Sequence, residues 1–222
     1  MEPFKENRDL AAGKSEQEVN LLEGEETFKC STAPVPKTGQ TTKWSVGDDG
    51  DLEKGVAWSV PRFRDNANGT VTDDLTGLIW LKNANCAGSS NSNDGKTTWE
   101  KAFGWVKELN QSGTMNGQPS GDKSNGGSHQ TDWRLPNVKE LQSLVHYGFS
   151  NPALSNADGD KKWKEGDLFD NVKYGSSDRY WSSTAFSDGT SYGWYVNLHY
   201  GVVRNHFRTS HHYYVWPVRG GQ

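Results

Sequence analysis

The sequence predicts an α+β domain that is rich in loops, with two helices and small antiparallel sheets. Three observations carry that expectation. Short runs of apolar, aromatic and β-branched residues, bounded by Gly, Asn and Asp, occur between residues 56 and 81 and again between residues 180 and 219. Two segments between those groups carry apolar residues at helical spacing behind a capping signal. Two helices amid many short strands give an α+β domain and not a doubly wound sheet.

A chain of 222 residues is long enough for one large domain with an extended N-terminal segment. We place that leader at residues 1–50 and the domain at 51–222. Hydrophobic residues make up only 32%, but ten Trp, eight Tyr and eight Phe offset the shortfall. Each buried aromatic side chain removes about 150–250 Å² from water. No run approaches the ~18 consecutive apolar residues that a membrane span needs. The opening MEPFKENRDLAAGK lacks the apolar centre of a signal peptide. Residues 174–222 carry a net charge of +2 in a chain of −4, so the rest holds −6. Four of the six His fall in that tail, but no Lys/Arg cluster marks it for nucleic acid.

Taken in order, residues 1–29 are polar and acidic with little periodicity, and residues 31–51 read as a Pro/Gly/Thr linker. The GDDGD stretch at Gly47–Asp51 lacks the later bidentate carboxylate of a calcium loop and reads as a turn. Asn156, Asp158 and Asp160 have calcium-like spacing, again without the Gly and Glu partners, so no metal site is assigned. Phe63–Asp65, Thr70–Asp73 and Leu78–Leu81 are expected as a meander, with turns at Asn66–Gly69 and Asp74–Gly77. Thr97 with Glu100 has the form of a capping box, and Trp99, Ala102, Phe103, Val106 and Leu109 follow at helical spacing. After a long Gly/Ser/Asn loop, Trp133–Pro136 reads as a short strand. Asn137 with Glu140 then caps a second helix whose buried face is Val138, Leu141, Leu144 and Val145, with Gly148 as its stop. Cys30 and Cys86 are either two unrelated thiols or a bridge between leader and domain, which would imply an oxidising compartment.

The tail from Tyr180 to Arg219 mixes two kinds of residue. Trp181, Trp194, Trp216 and the neighbouring valines read as an inward scaffold, because Trp194, Val196 and Leu198 recur with period two. Gly201 marks a turn into a returning strand. Between these lie the contact candidates Tyr192, Tyr195, Asn197, His199, Tyr200, Arg204, Asn205, His206, Arg208, Ser210, His211 and His212. Tyr supplies large contact area at low entropic cost, and Arg and Asn supply directed hydrogen bonds.

The phrases TDDLTGLIWLKNANC, DWRLPNVKELQSL, NPAL, YWSST, GWYVNL and YVWPVRGG, in this order, resemble the Lcl C-terminal domain family. That resemblance implies a C-type-lectin-like scaffold that presents a ligand-binding surface. The tail framework, G-W-x-V-N and then Y-V-x-P-V-R around an open run, is similar to the variable region of proteins diversified by retroelements. In those systems adenines of AAC codons are randomised, and the products never include Lys, Glu, Gln, Met or Trp. Tyr195, His199, Tyr200, Val202 and every residue from Arg204 to His212 are reachable that way, and Glu, Gln and Met are absent from residues 174–221. Ordinary strand composition depletes Lys and Glu as well.

Catalysis is not expected. A hydrolytic triad needs a base oriented by a buried carboxylate, and the tail has many His but few acids. The related formylglycine-generating enzymes rely on paired active-site cysteines, and neither Cys30 nor Cys86 lies in the tail. His211 and His212 are adjacent, so on a strand they point to opposite faces and do not share a metal. The expectation is a non-enzymatic protein without cofactor, at a cell surface, outside the cell or on a virion, binding a protein or glycan receptor. The alternative is an adhesin of fixed specificity that binds sulfated polysaccharide through an Arg/His face.

Overall fold

The computed structural model describes residues 35–88, 94–189 and 191–221. Pro34–Gln222 forms one compact unit. Its compact part starts earlier than the boundary expected at residue 51. The Lys37 N–H donates to the Val56 carbonyl and the Val56 N–H to Val35, each at 2.9 Å, and Tyr147 donates to Thr38. Residues 35–38 are thus laid against the domain, while residues 41–47 are exposed. The GDDGD stretch forms a short helix α1 (Asp49–Leu52), with the Asp48 carboxylate accepting from Asp51 N–H as its cap. That helix was not expected; its carboxylates satisfy backbone donors instead of gathering round a cation.

The meander is as expected. Strands β1 (Phe63–Asp65), β2 (Thr70–Asp73) and β3 (Leu78–Leu81) pair in antiparallel succession. The last strand, β11 (Val218–Gly220), returns to pair with β3, which joins it to the early meander. The segment at Trp133–Pro136 is reduced to one bridge, with Arg134 and Val218 exchanging hydrogen bonds of 2.9 Å.

Helix α2 (Trp99–Ser112) starts one residue later than its sequence signal suggests. Thr98 is the N-cap, because Thr97 belongs to strand β4 (Lys96–Thr97). Ala102, Val106 and Leu109 are its buried face, and Gly113 ends it in the left-handed conformation, φ 71°. Strands β5 (Thr114–Met115) and β6 (Gln118–Pro119) form a small hairpin. The loop beyond is ordered by buried Asp122, whose carboxylate accepts from Ser124, Gln130 and the Trp133 indole. Helix α3 (Val138–Ser143) carries the expected capping box of Asn137 and Glu140. It stops at Leu144, well before Gly148.

The second sheet has the order β4–β10–β7–β8–β9 and contains β7 (Tyr180–Ala185), β8 (Tyr192–Asn197), β9 (Val202–Phe207) and β10 (Tyr213–Tyr214). A register shift between Trp181 and Ala185 bends β7. The bend brings the Thr184 hydroxyl to the Val138 N–H at the start of α3. The core is aromatic: Trp216 packs against Trp80, Phe169 and Tyr180, with ring centroids 5.5, 4.9 and 5.4 Å away. Its indole N–H donates to the Leu81 carbonyl at 2.8 Å, so this buried ring is also satisfied as a polar group. The molecule is an α+β fold of mostly short strands with three helices among the described residues.

Candidate recognition surface

The hairpin of β8 and β9 positions the expected contact residues. Its register pairs Tyr192 with Phe207, Gly193 with His206, Trp194 with Asn205, Tyr195 with Arg204 and Asn197 with Val202. Leu198–Gly201 forms the turn, and Gly201 takes φ 70°. A side chain there would also meet Val145 at 2.8 Å. Glycine is therefore required for both shape and space.

Alternation along β8 differs from expectation, and three residues change roles. Tyr195, expected at the surface, is only 5% exposed. It stands opposite Trp181 in register, 5.2 Å from the Tyr213 ring, with the Arg179 guanidinium 5.3 Å from its own. Asn197, also expected at the surface, is 3% exposed. Its amide donates to the Asp178 carbonyl at 2.6 Å and its oxygen accepts from Tyr200 N–H at 3.1 Å, so it ties the hairpin turn to the loop before β7. Trp194, expected as inward scaffold, is half-buried and leans on Phe186 with centroids 5.8 Å apart. The reason is what packs over the sheet. Tyr213 and Arg179 lie against Tyr195 and the loop before β7 receives Asn197, while Val196 and Leu198 are fully buried as well, so a period of two no longer separates inside from outside. Trp181 and Trp216 are fully buried.

The remaining candidates fall on two faces and one turn. Arg204 and His206 share the face of Tyr195, and the His206 ring lies 3.5 Å from that of His211. Arg204 is exposed and makes no ion pair among the described residues. Tyr192, Trp194, Asn205 and Phe207 occupy the opposite face, where the rings of Tyr192 and Phe207 are 4.3 Å apart. Asn205 is half-buried and Phe207 is 41% exposed. His199 and Tyr200 form the turn. The His199 Nδ1 is 2.9 Å from the Tyr174 carbonyl oxygen, and Tyr200 is 60% exposed. Ser210 and His212 are exposed in the loop beyond β9, and the Ser210 hydroxyl is 3.1 Å from the His211 Nδ1.

Arg208 turns inward towards α2. Its Nε lies 3.3 Å from the Glu100 carboxylate and its guanidinium 4.7 Å from the Trp99 ring centroid. Its carbonyl accepts from the Trp99 N–H at 3.1 Å. These contacts anchor the loop and leave Arg208 little freedom to reach a partner.

Two residues that join the surface were not expected there. Arg179 lies over Tyr195 and Tyr213, at 5.3 and 5.4 Å, and adds positive charge to the His206 face. Phe186 completes the aromatic group with Tyr192 and Trp194. Neither follows a periodicity in the sequence; Arg179 precedes its strand and Phe186 follows it. Burial, with the positive neighbours His211 and Arg179 adding to it, pulls the His206 pKa below the ordinary imidazole value. Burial pushes the Tyr213 hydroxyl up to about 12, so it stays a hydrogen-bond donor at any physiological pH.

The calcium-like spacing at Asn156–Asp160 is a turn. The Asn156 side-chain oxygen accepts from the N–H groups of Gly159, Asp160 and Lys161, and its amide donates to Asp160. Among the described residues no three His, Cys, Asp or Glu are placed to hold a metal ion, and no helix is long and apolar enough to cross a membrane. Cys86 is buried, which pushes its thiol pKa up to about 12; Cys30 lies outside the described residues. A groove of about 590 Å³ runs between α2 and the Trp133–Asn137 segment, and none of the expected contact residues lines it. Residues 69–219 match the Lcl C-terminal domain. No curated protein matches the chain.

Proposed function

The chain belongs to the Lcl C-terminal domain family, and from that premise we propose that it is a non-enzymatic protein that binds a ligand or receptor through its C-terminal hairpin. The scaffold of this reading is C-type-lectin-like. It is supported by two main helices, small antiparallel sheets and a last strand that returns beside the early meander. The observation that carries the proposal is the contrast along the tail. Trp181, Tyr195, Val196, Trp216 and Val218 are buried, while Tyr200, Arg204, Phe207, Ser210 and His212 are exposed on β9, its turn and its following loop. Contact side chains on a rigid frame lose little conformational freedom on binding. The receptor is a protein or glycan on another cell or particle.

Diversification of the exposed positions is part of the same proposal. Substitution at Arg204, Phe207, Ser210 or His212 touches no core contact, so sequence change there is compatible with the fold. Tyr195, in contrast, sits in the aromatic stack and restricts what replaces it. The genomic observation to make is a near-copy of the 3′ end, differing at adenines, beside a reverse transcriptase.

Receptor binding is expected to weaken by about tenfold or more for Arg204→Ala and Tyr200→Ala, with the unfolding midpoint unchanged, since exposed Arg and Tyr dominate such surfaces. Binding measured on receptor-bearing cells would contradict the proposal if both variants bound as well as the parent.

The adhesin alternative rests on the cationic side of the same hairpin: Arg179, Arg204, His206 and His211. It predicts binding of sulfated polysaccharide that weakens with salt, as exposed charge pairs are screened. It also predicts tighter binding as pH falls, because protonated His206 adds positive charge. The lowered His206 pKa places that gain below the ordinary imidazole range. Affinity measured against pH and salt that shows neither trend would reject this alternative.

A further inference from the structure

The open edge of the second sheet carries more information than its side chains. β9 is the terminal strand in the order β4–β10–β7–β8–β9. Which of its backbone groups face outward follows from the ladder. In an antiparallel pair, residues alternate between exchanging hydrogen bonds with the partner and pointing away from it. Arg208 N–H donates to the Ser191 carbonyl at 2.8 Å, one step beyond the Tyr192–Phe207 pair. The Tyr192 carbonyl instead accepts from Phe186 N–H at 3.1 Å, and the Trp194 carbonyl accepts from the Ser182 hydroxyl at 2.9 Å. Tyr192 and Trp194 therefore face β7, while Gly193, Tyr195 and Asn197 face β9. It follows that Val202, Arg204 and His206 turn their backbone groups to β8. Val203, Asn205 and Phe207 turn theirs outward. The Phe207 N–H is met locally by His206 Nδ1 at 2.9 Å.

Natural edge strands are protected by charged side chains, by Pro, by bulges or by a covering segment. β9 has the sequence VVRNHF, with β-branched and aromatic residues, no Pro and a single charged residue, Arg204. Among the described residues no strand pairs with its outer side. Pairing with a second copy is disfavoured by charge in the register that joins Val203 to Asn205. That antiparallel dimer sets Arg204 opposite Arg204 of the other copy. Like charges directly across a ladder are destabilising. An extended chain with a carboxylate opposite Arg204 removes that penalty and brings negative charge to the face that Arg204 and His206 share.

We propose that β9 recruits an extended acidic polypeptide segment as a sixth strand, its backbone pairing with Val203 and Asn205 and its carboxylates facing Arg204 and His206. This rests on the reading of the hairpin as the recognition surface and names the chemistry of the partner. Backbone pairing supplies affinity that tolerates change in side chains, while the alternate carboxylates select sequence.

The probe is a peptide alternating Glu and Val over the length of β9, measured by fluorescence anisotropy against the whole chain. Saturable binding is expected, weakened about tenfold or more when Glu is replaced by Lys, in line with paired charges at a strand edge. Methylating alternate backbone nitrogens in one register should abolish binding, and methylation in the other register should leave it intact. No binding, or binding indifferent to methylation in both registers, would overturn strand addition. Receptor binding that still depended on Arg204 and Tyr200 in that event would leave the broader reading standing. Concentration-dependent dimerisation suppressed by Asn205→Pro would assign the edge to a second copy and overturn the acidic partner.

Discussion

Alanine in place of Trp181 is expected to cost about 3–5 kcal/mol of unfolding free energy, the range for removing a fully buried aromatic side chain. Trp181 has no solvent exposure and packs 4.3 Å from Tyr213, and its indole N–H donates to the Thr97 carbonyl at 2.9 Å. The substitution would open a cavity and remove the hydrogen bond that joins β7 to β4. Trp194→Ala should cost less, about 1–2 kcal/mol, because the half-buried ring rests on Phe186 and loses less apolar area. Urea unfolding of both variants checks the difference. Equal losses would mean that the two tryptophans share one environment, contrary to the full burial of Trp181 and the half-burial of Trp194.

The second large effect is expected at a charge pair remote from the hairpin. Arg62 and Asp73 both have side chains with no solvent exposure, and their closest approach is 3.6 Å, beyond hydrogen-bond reach. The guanidinium lies between Trp58 and Phe63, at 4.0 and 4.5 Å from their ring centroids, and donates to the Ser143 carbonyl. Burial pulls the Arg62 pKa down and Asp73 opposes that pull. Nearby His146 is lowered to about 4, first by burial and then by the Arg62 charge, so it stays neutral at physiological pH. Asp73→Ala removes the counter-charge and should cost about 3–5 kcal/mol, since an unpaired buried charge remains. Adding Arg62→Met to that variant should recover much of the loss, because a buried pair replaced by apolar residues is often close to neutral. Thermal unfolding of the single and double variants decides it. An Asp73→Ala protein as stable as the parent would show that Arg62 does not depend on its partner.

The elements with local signals were the ones legible in advance. Asn137 and Glu140 place the start of α3 correctly because a capping box is made by residues three apart, with no help from the rest of the fold. The meander of β1 to β3 was legible for a similar reason: its turns carry their own Asn, Asp and Gly. The start of α2 was misplaced by one residue because Thr97 pairs with Tyr213 across the sheet, a long-range partner with no trace in the local pattern. Helix α1 has no signal in the sequence because four residues are too few for a helical period to appear.

Among the candidate site residues, the same division holds. Type and position in the sequence singled out Arg204, His206, Tyr200 and His212 as available for contact, because polar and aromatic residues beside a Gly turn tend to remain outside. Composition also determined the aromatic character of the core, since so many Trp, Tyr and Phe in this length of chain require burial together. Only the tertiary structure decided that Tyr195 and Asn197 turn inward, that Arg208 is held by Glu100, and that Arg179 and Phe186 join the surface. Alternation along a strand tells which residues share a face. Whether that face is covered depends on what the rest of the chain lays over it, and β8 has buried side chains on both, Tyr195 and Asn197 on one face and Val196 on the other.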